Sequence, residues 1–282
     1  MSTVPAEVTA LARELLDART TGRVVPVPPS AREGGFSLET AYAVEAELTR
    51  LRREGGHVTV GRKVGYANEV VWRALKLQTL VWANLYDDTV HYADRGEASL
   101  AIASMCSPRI EPEIVFKLKD VPTSTDPSVV LESVEWLALG FEIVDSPFPD
   151  WKFQPVDFVA SFGLHAALFV GAPRHLGGGE IRTLVEQLAT FKVRLSKNGE
   201  LVEEGAGRNS LRSPALCLGE LASGVAAQPG AEPLQAGDLV SSGTLTAAHP
   251  IADGETWIVE PADIDLSPVT LRVRRQADDR KH

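Results

Sequence analysis

The sequence predicts an α+β fold: an N-terminal helical portion over 1–56, followed over 57–282 by a catalytic domain built on a mixed β barrel or roll, the two forming one continuous unit. Three observations lead there. Apolar residues recur at helical spacing near the start of the chain, alternation takes over from His57 onward, and the strands are not separated by the regular helices of a doubly wound sheet. The 282 residues suffice to bury a sizeable core.

Taken in order, Val8, Leu11, Ala12, Leu15 and Leu16 mark a first helix, and "MSTVPAEVTALARELLDART" reads as amphipathic rather than as a secretion signal. After a Pro-rich connector, Ser37 caps a second helix carrying Ala41, Val44, Leu48 and Leu51, which Gly55 and Gly56 stop. "VTVGRKVGY" (58–66) alternates Val58, Val60 and Val64 against Thr59, Gly61, Lys63 and Gly65, as a strand does. A short helix is expected over 68–80. Strands follow at 109–118, 139–145, 157–170 and 188–204, the last folded back at Asn198-Gly199, then near 238–246, 255–260 and 268–274. "HLGGGE" (175–180) and "AAQPGAEP" (226–233) are loops. The former lacks the feeding strand and the following GKS or GKT of a phosphate loop.

Composition narrows the partners. With 28 basic against 38 acidic residues the chain carries −10 and has no basic run, so neither nucleic acid nor an anionic membrane is expected to bind. No apolar stretch approaches the ~20 residues that span a bilayer. Cys106 and Cys217 stand far apart without CxxC spacing, as two reduced thiols of a soluble, cytoplasmic protein would.

The chemistry is expected where carboxylates interrupt apolar strands. In "RIEPEIVF" (109–116), Ile110, Ile114 and Phe116 share one face, while Glu111 and Glu113 share the other. "LALGFEIVDS" (137–146) repeats the pattern with Glu142. Buried carboxylates need protons, salt bridges or a metal; a hard divalent ion such as Mg²⁺ or Mn²⁺ suits three of them. The alternative is a wet sheet face. Lys63 lies between glycines that would let a ligand approach, and reads as a group for a substrate carboxylate or proton transfer, or as a surface lysine. Asp87 and Asp88 also fit a turn.

Together "VGRKVGY" (60–66), "LYDD" (85–88), "PRIEPEIVF" (108–116), "GFEIVDS" (140–146), "DFVASFGLHAALFVG" (157–171) and "EPLQAGDLVSSGTLT" (232–246) resemble the fumarylacetoacetate hydrolase superfamily, in its branch of 2-hydroxypenta-2,4-dienoate hydratases and 4-oxalocrotonate decarboxylases. The resemblance runs from residue 60 to the C-terminus and is weaker over the N-terminal helices. It implies that Glu111, Glu113 and Glu142 hold Mg²⁺ or Mn²⁺, that Lys63 and, less directly, Asp88 belong to the catalytic site, and that a small 2-oxo acid chelates the ion through its carboxylate and 2-oxygen. It also implies a homo-oligomer. The expected activity is hydration of a 2-hydroxy-2,4-dienoate to a 4-hydroxy-2-oxo acid in aromatic catabolism; the alternatives are a 2-oxo diacid decarboxylase, a C–C bond hydrolase or a non-catalytic partner subunit.

Two segments depart from the hydratases. "ASFGL" (160–164) stands where they read "ADNAS", and beside it His165 is either a general acid or base or a hydrogen-bonded core histidine. The loop "GAGRNSLRSP" (205–214) brings Arg208, Asn209, Ser210 and Arg212. Arg212 and Ser210, together with Thr244, are candidate substrate-binding residues, the arginine because its planar fork pairs with a second carboxylate.

Overall fold

The computed structural model describes residues 4–276; residues 1–3 of the predicted first helix and 277–282 of the predicted catalytic domain lie outside it. Seven helices are described: α1 (Ala6–Thr21), α2 (Leu38–Glu54), α3 (Glu69–Leu75), α4 (Pro127–Glu132), α5 (Pro155–Ala160), α6 (Ile181–Thr190) and α7 (Pro214–Ala227). The strands are β1 (Thr59–Gly65), β2 (Val81–Tyr86), β3 (Val90–Tyr92), β4 (Glu97–Ala101), β5 (Pro108–Leu118), β6 (Val134–Asp145) and β7 (His165–Val170). They continue with β8 (Arg174–His175), β9 (Lys192–Lys197), β10 (Glu200–Ala206), β11 (Leu239–Thr244), β12 (His249–Pro250), β13 (Thr256–Ala262) and β14 (Val269–Arg274).

N-terminal helices thus precede a mixed, curled sheet. Its order is β2-β1-β11-β5-β6-β7-β3, with β12 on β5 and β8 on β6, and a second sheet runs β10-β9-β13-β14-β4. β1 with β11, β3 with β7 and β4 with β14 pair parallel; the other pairings described are antiparallel. The long β5–β6 ladder sets the register that matters, placing Glu111 opposite Glu142 and Glu113 opposite Gly140.

Helix α2 closes one face. Ser37 accepts a bond from the Thr40 amide, as an N-cap should, and Gly55 ends the helix. Tyr42, Glu45 and Thr49 then meet Trp82, Asn84 and Tyr86 along β2. Val8 and Leu15 of α1 and Leu48 of α2 share one hydrophobic cluster with Ile110, Phe116 and Phe141 of the sheet. No described helix is long and apolar enough to cross a membrane.

Some expectations fail for identifiable reasons. Residues 157–170 are not one strand: Pro155 starts α5, the Asp157 carboxylate accepts from the Gln154 amide at 2.8 Å, and only His165–Val170 is extended. An unbroken apolar run does not distinguish a buried helix from a buried strand. The predicted strand over 188–204 begins inside α6, although Asn198-Gly199 does turn the hairpin with both residues at positive φ. The helix expected over 68–80 stops at Leu75, where Lys76 adopts the left-handed conformation. β2 and the apolar α7 carry no periodicity that would have announced them.

Candidate metal centre

Four consecutive strands of the larger sheet, β1, β11, β5 and β6, build the site. Glu111 and Glu113 project from β5, Glu142 from β6 and Lys63 from β1, and one carboxylate oxygen from each glutamate can be chosen so that all three lie within 4.8 Å of one another. Lys63 Nζ stands 3.1 Å from Glu142 Oε2, donates to the Gly163 carbonyl at 3.0 Å and lies 4.8 Å from the Phe158 ring centroid. Glu113 is held by the Ser241 hydroxyl and by the Gly243 amide at 2.9 Å. The other oxygen of Glu142 accepts from His165 Nδ1 at 2.8 Å, while Nε2 lies 3.0 Å from the Thr89 hydroxyl.

The glycines around Lys63 serve packing rather than ligand approach. A Cβ on Gly61 would fall 1.9 Å from the Leu239 carbonyl oxygen of β11, and one on Gly65 would fall 2.3 Å from the Phe158 ring. The "ASFGL" segment forms the seat of the lysine. Phe162, Gly163 and Leu164 all take positive φ, and a Cβ on Gly163 would come within 2.7 Å of Lys63 Cδ. Phe162 and Leu164 hold this costly conformation on either side of the carbonyl that accepts from Lys63.

Burial and charge decide the protonation states. Desolvation pushes Lys63 down, but the three carboxylates outweigh it and leave its pKa above that of an ordinary lysine. Burial likewise opposes ionisation of Glu142, yet Lys63 and the His165 hydrogen bond hold it below the usual carboxylate range. For Glu111 burial prevails over Lys63 and, with Glu142 adding to it, raises the pKa to about 7; Glu113 is pushed well above its ordinary value by burial and by its two acidic neighbours. Burial lowers His165 despite Glu142, so its imidazole is neutral near pH 7.

The residues fit a divalent ion. Three carboxylates face one lysine, and Glu142 Oε2, 3.1 Å from Lys63 Nζ, has no other partner among the described residues. An oxygen-only donor set with an unused buried lone pair is what a hard cation takes. A second group, His57, Asp87 and Asp88, is more exposed, and Arg52 already pairs with Asp88.

A cleft of about 460 Å³ opens on the centre, lined among others by Lys63, Tyr66, Glu111, Glu113, Glu203 and Thr244. Of the predicted residues, Lys63, Glu111, Glu113, Glu142 and Thr244 are therefore brought together at or beside the cleft. Four are not. Asp88 pairs with Arg52 and faces His57, so it belongs to the turn after β2. His165 is buried behind Glu142 and does not line the cleft. Arg212 is exposed and pairs with Glu69 at 3.2 Å, and Ser210 is buried with its hydroxyl donating to the Ser242 carbonyl. Glu203, Tyr66, Ser241 and Thr89 escaped the sequence reading; nothing local in "ELVEEGA" sets Glu203 apart from its acidic neighbours.

The chain is 31% identical over 226 residues to a 2-hydroxyhexa-2,4-dienoate hydratase of Comamonas testosteroni, covering 79% of this chain and 81% of that protein. It belongs to the hydratase and 4-oxalocrotonate decarboxylase branch of the fumarylacetoacetate hydrolase superfamily. Within the branch it is also 30% identical over 249 residues to a 4-oxalocrotonate decarboxylase of a Pseudomonas species, covering 88% and 91% of the two chains. The 4-oxalocrotonate decarboxylase of Pseudomonas putida G7, solved with magnesium and adipate, superposes with a TM-score of 0.83 at 25% identity over 97% of this chain and all of that one. A fumarylpyruvate hydrolase of Pseudomonas aeruginosa, solved with Mn²⁺ and pyruvate, shares the fold at a TM-score of 0.53 and 16% identity, covering 76% and 89%. No family model matches. The protein is thus a hydratase or decarboxylase of this branch.

Proposed function

We propose that the protein is a Mg²⁺-dependent hydratase that adds water to a 2-hydroxy-2,4-dienoate and forms a 4-hydroxy-2-oxo acid. Glu111, Glu113 and Glu142 would hold the ion. When bound, it would supply Lewis-acid stabilisation of the charge that develops on the substrate's 2-oxygen. Lys63, kept protonated by its acidic neighbours, would pair with the substrate carboxylate, and the Gly163 carbonyl and Glu142 fix its ammonium group. His165 would act on Glu142 alone, holding one oxygen so that the other is left to Lys63 and the ion. Thr244, whose hydroxyl donates to the Thr246 carbonyl, would offer the substrate only an acceptor.

The observation that carries the choice is the charge of the cleft. Among the described residues lining it, Lys63 is the single basic side chain and is already engaged; Arg212, the expected receptor for a second carboxylate, pairs with Glu69 instead. That favours a monoanion over a diacid. The decarboxylase reading draws its support from the whole-chain likeness to the P. putida G7 enzyme. The carboxylate cluster weighs against a non-catalytic subunit, since a purely structural chain gains nothing from burying surplus negative charge.

The test is turnover with Mg²⁺ on 2-hydroxypenta-2,4-dienoate and on 4-oxalocrotonate, with products identified by mass. A gain of one water on the dienoate, abolished by chelator, is the expected result. Loss of CO₂ from 4-oxalocrotonate as the faster reaction would replace the hydratase by the decarboxylase.

A further inference from the structure

The cleft contains one ionisable group that the site described so far leaves without a task. Glu203 lies on β10, in the smaller sheet, whereas Lys63, Glu111 and Glu113 come from the larger one. Its carboxylate accepts from His249 Nε2 at 2.7 Å and from the Ala247 amide at 3.1 Å, and it is only about one-third exposed. The segment carrying Ala247 continues from Gly243, whose amide binds Glu113, so one stretch of backbone ties Glu203 to the carboxylate cluster.

Elimination sharpens its role. Lys63, Glu111 and Glu113 are committed to the ion and to the substrate's head. Tyr66 is kept protonated by burial. The Thr244 and Thr246 hydroxyls donate to nearby carbonyls, and the Asn209 amide donates to Leu245. Glu203 remains, among the described lining residues, the group able to receive a proton.

We propose that Glu203, steadied by His249, is the general base that takes a proton from the water adding to the substrate. This rests on the hydratase reading. In the 2-oxo-3-enoate form of the substrate, the water oxygen bonds to C4, the C3–C4 π pair shifts toward the 2-oxygen, and Glu203 takes the water's proton. A proton is then returned to C3, so one water is added and no other reactant is needed. A carboxylate at this position also repels a second substrate carboxylate, which assigns the enzyme a monoacid.

The experiment compares Glu203→Gln and Glu203→Ala with the wild type in dienoate hydration and in Mg²⁺-dependent binding of oxalate and of adipate. Glutamine keeps an acceptor for the Ala247 amide, so a merely structural role predicts a near-normal Glu203→Gln enzyme and a damaged Glu203→Ala enzyme. The proposal predicts that both lose roughly 10²-fold or more in kcat. Oxalate binding should stay within about twofold, and adipate should bind several-fold more tightly to Glu203→Gln than to the wild type, the repulsion being gone. His249→Asn should lower kcat about tenfold at unchanged KM. Near-normal kcat in Glu203→Gln, or equal loss of oxalate binding in both variants, overturns the proposal while leaving the hydratase in place. A wild-type enzyme that binds Mg²⁺ and oxalate yet hydrates no dienoate overturns the hydratase reading, and this base with it.

Discussion

Arg62 and Lys63 are consecutive residues of β1, both buried, pointing to opposite faces of the sheet. On the α2 side, Arg62 donates to the Gly61 and Glu232 carbonyls, stacks 5.2 Å from the Trp82 ring centroid and answers one buried acid, Glu45. Burial is the larger influence there, lowering Arg62 and raising Glu45, while each partner's charge opposes the shift. On the other side Lys63 answers three acids. The two faces separate scaffold from site: Arg62 has one buried acid beside it, the other two acting on it, Asp238 and Glu232, being nearer solvent, whereas three acids gathered around one buried lysine leave a surplus that is a place for a ligand.

Paired substitutions should separate the two faces most clearly. Glu113→Gln should cost about 10³-fold or more in turnover, because an ion worth several kcal/mol of charge stabilisation is lost. The same variant should leave the melting temperature of the metal-free protein nearly unchanged, since burial and the acidic neighbours already favour the protonated, neutral form of Glu113 and the Ser241 and Gly243 contacts can persist. Glu45→Ala should do the reverse, costing about 2–4 kcal/mol of stability in denaturant titration by orphaning Arg62 and Asn84, with kcat within about threefold. Equal stability losses on both faces would end the distinction.

A smaller effect is expected one shell out. His165→Asn should weaken Mg²⁺ binding by about 10–100-fold in calorimetry, because Glu142 loses the group that orients it. Smaller again is the pH dependence. The Glu111 pKa, raised to about 7, means that the metal-free native state holds a proton which the unfolded chain releases near 4.5. That contribution to stability is complete below about 4.5 and is lost as pH rises through about 7. Mg²⁺ must displace the proton, so the rise in melting temperature caused by saturating Mg²⁺ should grow from pH 5 to pH 8. A flat or falling increment would remove Glu111 from the ligand set. Smallest of all, Asp88→Ala and Arg212→Ala should leave kcat/KM within about twofold, since Asp88 does not line the cleft and Arg212 makes only an exposed ion pair with Glu69.

Much of this was readable in advance because it is local. Strand alternation put Glu111 and Glu113 on one face of a single strand, and Ser37 with Gly55 bounded α2. The remainder depends on register between distant strands. His165 meets Glu142 only because β7 lies beside β6, a pairing that no local pattern encodes. Ser241 reaches Glu113 through the β11–β5 ladder, and Glu203 arrives from a different sheet altogether. Sequence adjacency misled where topology sends neighbours apart: Asp88 follows β2 but turns away from the cleft, and Arg212 sits in a loop beside the site yet points to Glu69.

The surplus carboxylates on the Lys63 face are proposed to hold a divalent ion. Soaking crystals of the protein with Mn²⁺ and recording anomalous diffraction tests it most directly. One strong peak is expected within bonding distance of carboxylate oxygens from Glu111, Glu113 and Glu142, absent in Glu113→Gln. A peak at His57, Asp87 and Asp88 with none at the buried glutamates would contradict it.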